Sequence, residues 1–159
     1  MDAQDSRERL RLWLRLLAAS NEIERVLRRR IRAEFGTTLP RFDVLAALDR
    51  APNGLSMSEL SRQLMVTNGN TTTIVAALAE EELVQRTVAP HDRRSISVEL
   101  TESGRDRFER MADVHAHWVT ELLAGIDEAD VDQLSRGLHE VRLVIQANAE
   151  TGAFAEGMR

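Results

Sequence analysis

The chain has 159 residues with 21 basic and 26 acidic side chains, a formal charge of −5; this length suits one domain with its own core. It contains no cysteine, which excludes thiol catalysis, zinc–thiolate fingers and a disulfide framework. No apolar run nears the roughly 20 residues of a bilayer span, and Met1-Asp2-Ala3-Gln4-Asp5 is unlike a signal peptide, so a soluble cytoplasmic protein is expected. Every basic residue is Arg, and the net charge is +2 over 1–59, zero over 60–98 and −7 over 99–159. Contact with a polyanion therefore depends on where Arg is placed in the first two thirds, not on bulk charge.

Taken in chain order, most of the sequence reads as helix. Leu10, Trp13/Leu14, Leu17, Ile23, Leu27 and Ile31 recur at helical spacing over 5–35, and Gly36 is a natural left-handed cap. At 100° per residue Arg25, Arg28, Arg29 and Arg32 lie opposite that stripe, with Glu24 placed to pair with Arg28. Arg30 falls near the stripe and must snorkel, find an acid or face a ligand anion. Pro40 opens a helix over 41–49. Ser56-Met57-Ser58-Glu59 has the S-x-x-E form of a capping box and starts a short helix through Leu64. Thr67 can cap the next helix, whose buried stripe is Ile74, Val75 and Leu78.

The period then changes. Residues 83–88 and 95–100 read as two strands joined by Ala89-Pro90-His91-Asp92-Arg93-Arg94, a hairpin with a charged tip. Thr101 caps a long helix carrying Phe108, Met111, His115, Trp118/Val119 and Leu122. Gly125 breaks it, and a last amphipathic helix carries Val131, Leu134, Leu138, Val141 and Ile145. The order predicts a mainly α chain with a small β-hairpin wing: a winged helix-turn-helix lobe over 41–100, with long helices over 1–35 and 102–148. These two have more apolar face than the lobe can cover, which points to a second copy and a two-fold dimer.

Thr67, Asn68, Gly69, Asn70, Thr72 and Thr73 place short donors and acceptors at a helix amino terminus, where backbone N–H groups also favour phosphate. Arg93 and Arg94 at the hairpin tip suit a narrow minor groove, and Arg62 and Arg86 are further candidates for DNA contact. Either segment alone is as well explained as a solvated surface; together, in this order, they point to double-stranded DNA. Leu60-Ser61-Arg62-Gln63-Leu64, Val66-Thr67-Asn68-Gly69-Asn70-Thr71-Thr72, Leu83-Val84-Gln85-Arg86, Pro90-His91-Asp92-Arg93-Arg94-Ser95 and Leu100-Thr101-Glu102-Ser103-Gly104 resemble the MarR family of bacterial transcription regulators over nearly the whole chain. The resemblance implies a single MarR-type domain over 1–159 and a pseudo-palindromic operator. It also implies that Asp92 orients Arg94 into the minor groove while the helix after Thr67 enters the major groove. Ala76-Ala77 and Thr73 depart from the charged residues the family often carries there, and Glu82 stands where Gly is common.

Family members often hold a small molecule between the dimer helices and the DNA-binding lobe. Trp13, Leu17, Phe42, Met111 and Trp118 are candidate walls, with Asp43 and His115 for a hydroxyl and Arg28, Arg30 and Arg32 for an anion; any one of the apolar residues is equally explained as core. Leu12-Trp13-Leu14-Arg15-Leu16-Leu17 and Leu39-Pro40-Arg41-Phe42-Asp43 resemble the members that control aromatic-acid catabolism, some of which respond to hydroxycinnamoyl-coenzyme A thioesters. A homodimeric repressor released by an aromatic effector is the reading; the alternative is a ligand-independent architectural or protein-interaction dimer. No cofactor, metal site, membrane association or enzymatic activity is expected. His115 and His117 diverge on their helix, and no nucleophile–base motif or phosphate-binding glycine loop is present.

Overall fold

The computed structural model describes residues 3–64, 68–88 and 96–150. In order these form α1 (Ala3–Phe35), α2 (Leu39–Asp49), β1 (Leu55–Ser56), α3 (Met57–Leu64), α4 (Asn68–Glu80), β2 (Val84–Val88), β3 (Ile96–Leu100), α5 (Glu102–Leu123) and α6 (Glu128–Glu150). Two compact units are present, residues 1–119 and 120–159. No described helix is long and apolar enough to cross a membrane.

Local chemistry sets the boundaries. Gly36 (φ 63°) ends α1, and its N–H reaches the Arg32 carbonyl at 3.2 Å, the left-handed cap expected of glycine. Pro40 falls in the first turn of α2, where its missing N–H costs nothing. The capping box of α3 is complete. The Ser56 N–H donates to Glu59 Oε2 at 2.9 Å, and the Glu59 N–H donates back to Ser56 Oγ at 3.3 Å. Hydrogen bonds from Ser56, first from its side chain and then from its backbone, hold the Glu59 carboxyl below its usual pKa. At α5, Thr101 Oγ1 accepts the Gly104 N–H at 2.9 Å and donates to the Glu82 carbonyl at 2.7 Å.

The sheet is antiparallel in the order β1-β3-β2, with Arg86 opposite Val98 and Leu55 on the other side of Val98. The two-residue strand β1 is an addition to the predicted hairpin, being too short to show alternation. The core of the lobe joins Val44, Leu45 and Leu48 of α2 to Leu60, Val75, Leu78, Leu83, Val84 and Val98. Gly104 packs so closely on the chain that a methyl there would lie 1.8 Å from the Leu83 carbonyl oxygen. Arg105 pairs with Asp49 at 2.9 Å and Arg107 caps the Phe35 carbonyl at 3.0 Å, tying α5 to α2 and α1. Leu10, Leu12, Trp13 and Leu14 of α1 remain exposed, Trp13 at 56%; on α6 so do Leu134, Leu138, Val144 and Ile145.

Candidate nucleic-acid interface and ligand cleft

Helix α4 rests on α3 through a polar contact inside an apolar core. Ser61 Oγ donates to Thr71 Oγ1 at 2.8 Å, and Thr71 is 0% exposed. Thr71, Val75 and Leu78 are spaced i, i+4 and i+7, so they form the inward stripe. The outward face follows from that phase. Gly69, Asn70, Thr72 and Thr73 are all exposed, and a methyl at Gly69 would meet nothing within 4 Å. Thr73 Oγ1 donates to the Gly69 carbonyl at 3.1 Å, so its hydroxyl proton is engaged by its own helix. This face is small and uncharged as far as Glu80.

Arg62 on α3 and Arg86 on β2 are exposed on either side of the sequence that forms α4. Asn68 opens α4. Thr67, Asp92, Arg93 and Arg94 lie outside the described residues.

A cleft of about 510 Å³ lies behind α4. Helix α1 contributes Glu24, Leu27 and Arg28, and α2 contributes Leu39, Pro40 and Asp43. Leu64 of α3, Ile74 of α4 and His115 of α5 close it. Arg28 is held by Glu24 at 2.7 Å. Burial, reinforced by the negative charge of Glu24 and opposed by Arg28 and Arg50, pushes the Asp43 carboxyl up to about 6. Burial pushes His115 below its usual value; its ring stacks on Phe42 with centroids 4.7 Å apart, and Phe42 meets Phe108 at 5.6 Å.

A groove of about 500 Å³ shares Arg28, Leu39 and Pro40 with this cleft and adds Arg25, Arg29, Arg32, Thr37 and Thr38. Arg25 is paired with Glu22, whereas Arg29 and Arg32 form no ion pair with a described residue.

Of the ten residues nominated from sequence for an effector, the structure brings Arg28, Asp43 and His115 together in the cleft. Phe42 is buried against His115, and Met111 is buried without lining the cleft. Arg32 lines the groove instead. Arg30 lies over the Trp118 ring, 5.8 Å from its centroid, and Trp118 also packs on Phe35 at 6.1 Å; this aromatic partner resolves the demand of a cation beside an apolar stripe. Trp13 and Leu17 sit exposed, with Trp13 about 21 Å from Leu27 along α1 at 1.5 Å per residue. Glu24, Leu27, Leu39, Pro40, Leu64 and Ile74 also line the cleft and were not nominated. The i, i+4 pair Glu24–Arg28 was the signal for the first of them.

The family model of the MarR family matches residues 35–95. The transcriptional activatory protein BadR of Rhodopseudomonas palustris is 36% identical over 104 residues, which is 64% of this chain and 59% of BadR. The HTH-type transcriptional repressor IacR of Pseudomonas putida is 35% identical over 65% of this chain and 61% of its own length. The crystal structure of a MarR family transcriptional regulator from Silicibacter pomeroyi superposes with a TM-score of 0.77 at 30% identity, covering 91% of this chain and 99% of that one. The chain belongs to the MarR family. It spans about three fifths of the length of the two curated relatives. The MarR family match runs from the end of α1 to the start of β3, the segment that holds the exposed face of α4, Arg62 and Arg86.

Proposed function

We propose that this chain is a DNA-binding transcription regulator, not an enzyme, that acts as a homodimer and is released from its operator by an aromatic ligand. The observation that carries the DNA-binding reading is the amino-terminal half of α4. Gly69, Asn70, Thr72 and Thr73 project to solvent while Thr71 locks the helix to α3, which is how a major-groove reader must be held. BadR and IacR are named as an activatory protein and a repressor of transcription, which supports the same reading. In it, Thr67, Asn68, Asn70, Thr72 and Thr73 face base edges, Arg62, Arg86 and Arg93 face phosphates, and Asp92 orients Arg94 into the minor groove. The apolar residues left exposed on α1 and α6 are the surfaces for a second copy. The single domain would then assign 1–35 and 102–148 to dimerisation and 41–100 to DNA.

The cleft suits a regulatory ligand because two of its walls belong to the reading unit. Leu64 ends α3, and Ile74 directly follows Thr73 on α4. A molecule seated there shifts the DNA equilibrium only if it binds the DNA-free arrangement more tightly. An aryl group fits the apolar walls. An acid or a coenzyme A thioester would extend toward the adjoining Arg groove, where Arg29 and Arg32 are unpaired among the described residues.

The test is titration of the protein–operator complex with p-coumarate, ferulate and their coenzyme A thioesters. Release by the thioesters alone supports use of the Arg groove, and release by the acids alone confines the effector to the cleft. If none of the four binds the free protein, the aromatic effector is wrong.

A further inference from the structure

Two charges stand at the wrong ends of their helices. Arg41 lies in the first turn of α2, where the helix dipole is positive, and Glu81 follows the last turn of α4, where it is negative. They meet: Arg41 Nη2 is 2.6 Å from Glu81 Oε1, with the Arg side chain 19% exposed and the Glu side chain 51%. Each charge is unfavourable on its own helix and favourable beside the end of the other, so the arrangement gains only while the two ends stay together. Burial adds to its cost. Arg41 Nε and Nη2 are shielded from solvent, and neither makes an aligned hydrogen bond to a described residue. An apolar side chain of similar length would hold α2 on α4 with none of these costs. A position that breaks several local rules at once is better explained by what it orients than by what it stabilises.

What it orients is α4. Near its amino end that helix is pinned to α3 by the bond from Ser61 to Thr71, and beyond its carboxyl end Glu81 ties it to α2. From Thr71 to Glu81 is about 15 Å along the axis at 1.5 Å per residue. A shift of about 3 Å at the Glu81 end, enough to open the ion pair, tilts α4 by about 11° around Thr71, and directional contacts tolerate only about 10–20°. We propose that Arg41 is a positioning residue for the reading of DNA: through Glu81 it fixes the tilt at which α4 presents Asn70, Thr72 and Thr73 to base edges. This rests on the reading of α4 as the major-groove helix. In this role Arg41 contacts no phosphate, so its loss lowers the preference for operator over other sequences and leaves sequence-independent binding as it was.

The experiment measures the affinity of the full chain for the duplex it enriches from a random pool and for a scrambled duplex, at one salt concentration. Arg41→Met, which keeps an apolar stem, and Glu81→Gln are compared with the double variant, and urea denaturation is followed in parallel. Each single substitution should lower the operator-to-scrambled ratio by about tenfold, and the double should be no worse than either single. Exchanging the charges, Arg41→Glu with Glu81→Arg, should recover most of the ratio. Glu81→Gln changes an exposed side chain and keeps the test open should Arg41→Met fail to fold. Lower stability with an unchanged ratio makes the pair a packing element only and overturns the proposal. Equal losses on both duplexes make Arg41 a phosphate contact and overturn it too, as do losses that simply multiply in the double variant. If the parent chain enriches no duplex, the reading of α4 falls and the proposal falls with it.

Discussion

Replacing Glu82 by glycine should stabilise the protein. Glu82 is a non-glycine residue with φ 57°, at the position just after α4 where the chain reverses. The Leu83 N–H reaches the Leu78 carbonyl at 2.9 Å and the Glu82 N–H reaches Ala79 at 3.0 Å, the paired bonds of a Schellman cap. A side chain in the left-handed region costs about 1–2 kcal/mol, whereas glycine adds about 0.5–1 kcal/mol of unfolded-state freedom. Glu82 is exposed, and its bond from Thr101 uses the backbone carbonyl, so truncation removes no packing. Loss of one acid from the run Glu80-Glu81-Glu82, beside the negative end of the α4 dipole, adds a few tenths of a kcal/mol. The net gain is about 1 kcal/mol, a rise of about 3 °C in Tm for a chain this long. Urea denaturation at matched protein concentration measures it, since a dimer's apparent stability depends on concentration. Glu82→Ala separates the contributions, removing the charge but keeping the Cβ, and should stay within about 0.5 kcal/mol of the parent. If Glu82→Gly is no more stable than Glu82→Ala, the backbone explanation is refuted.

Gly104→Ala drives a methyl into the Leu83 carbonyl and should cost about 2–4 kcal/mol by forcing α5 away from the start of β2; an unchanged melting temperature would contradict that packing. Thr71→Val leaves the buried Ser61 hydroxyl without its acceptor and should cost about 1–3 kcal/mol, most of it recovered when Ser61→Ala is added. For Asp43, raised from 3.8 to about 6, the folded chain holds a proton that the unfolded chain releases. Its contribution to stability therefore falls as pH rises through that window and stays low above it. Asp43→Asn should accordingly gain about 1 kcal/mol at pH 8, a figure discounted for partial solvent screening, and nothing below pH 4; an equal gain at both pH values would exclude titration as the cause.

What could be read from the sequence was whatever has a local physical signature. The eight-turn stripe ending at Gly36, the capping box of Ser56 and Glu59, and the alternation of residues 96–100 each lie within one element, and each is found in the structure. Thr71 was hidden because it stands among polar neighbours, and only its phase with Val75 and Leu78 marks it as core. The ligand cleft was legible in part for a related reason. Periodicity identifies which face of α1 a residue occupies but not its height along the axis. Trp13, near one end of α1, was thus grouped with Arg28, near the other. His115 was found as a polar residue on an apolar face and Asp43 as a polar group beside Phe42 in sequence, whereas the turning of Trp118 onto Arg30 and Phe35 depends on how α5 packs on α1, which no local pattern encodes.

The central claim is that α4 reads DNA within a two-fold dimer, and selection of binding sites from a random duplex pool tests it most directly. The account predicts an enriched pseudo-palindrome with half-sites about 10 base pairs apart. Within each half-site, Asn70→Ala should lose about 1–3 kcal/mol of discrimination at one base position, while Arg62→Ala and Arg86→Ala should weaken binding evenly across sequences and reduce its salt dependence. No enrichment, an asymmetric motif, or a motif unchanged by Asn70→Ala would contradict it.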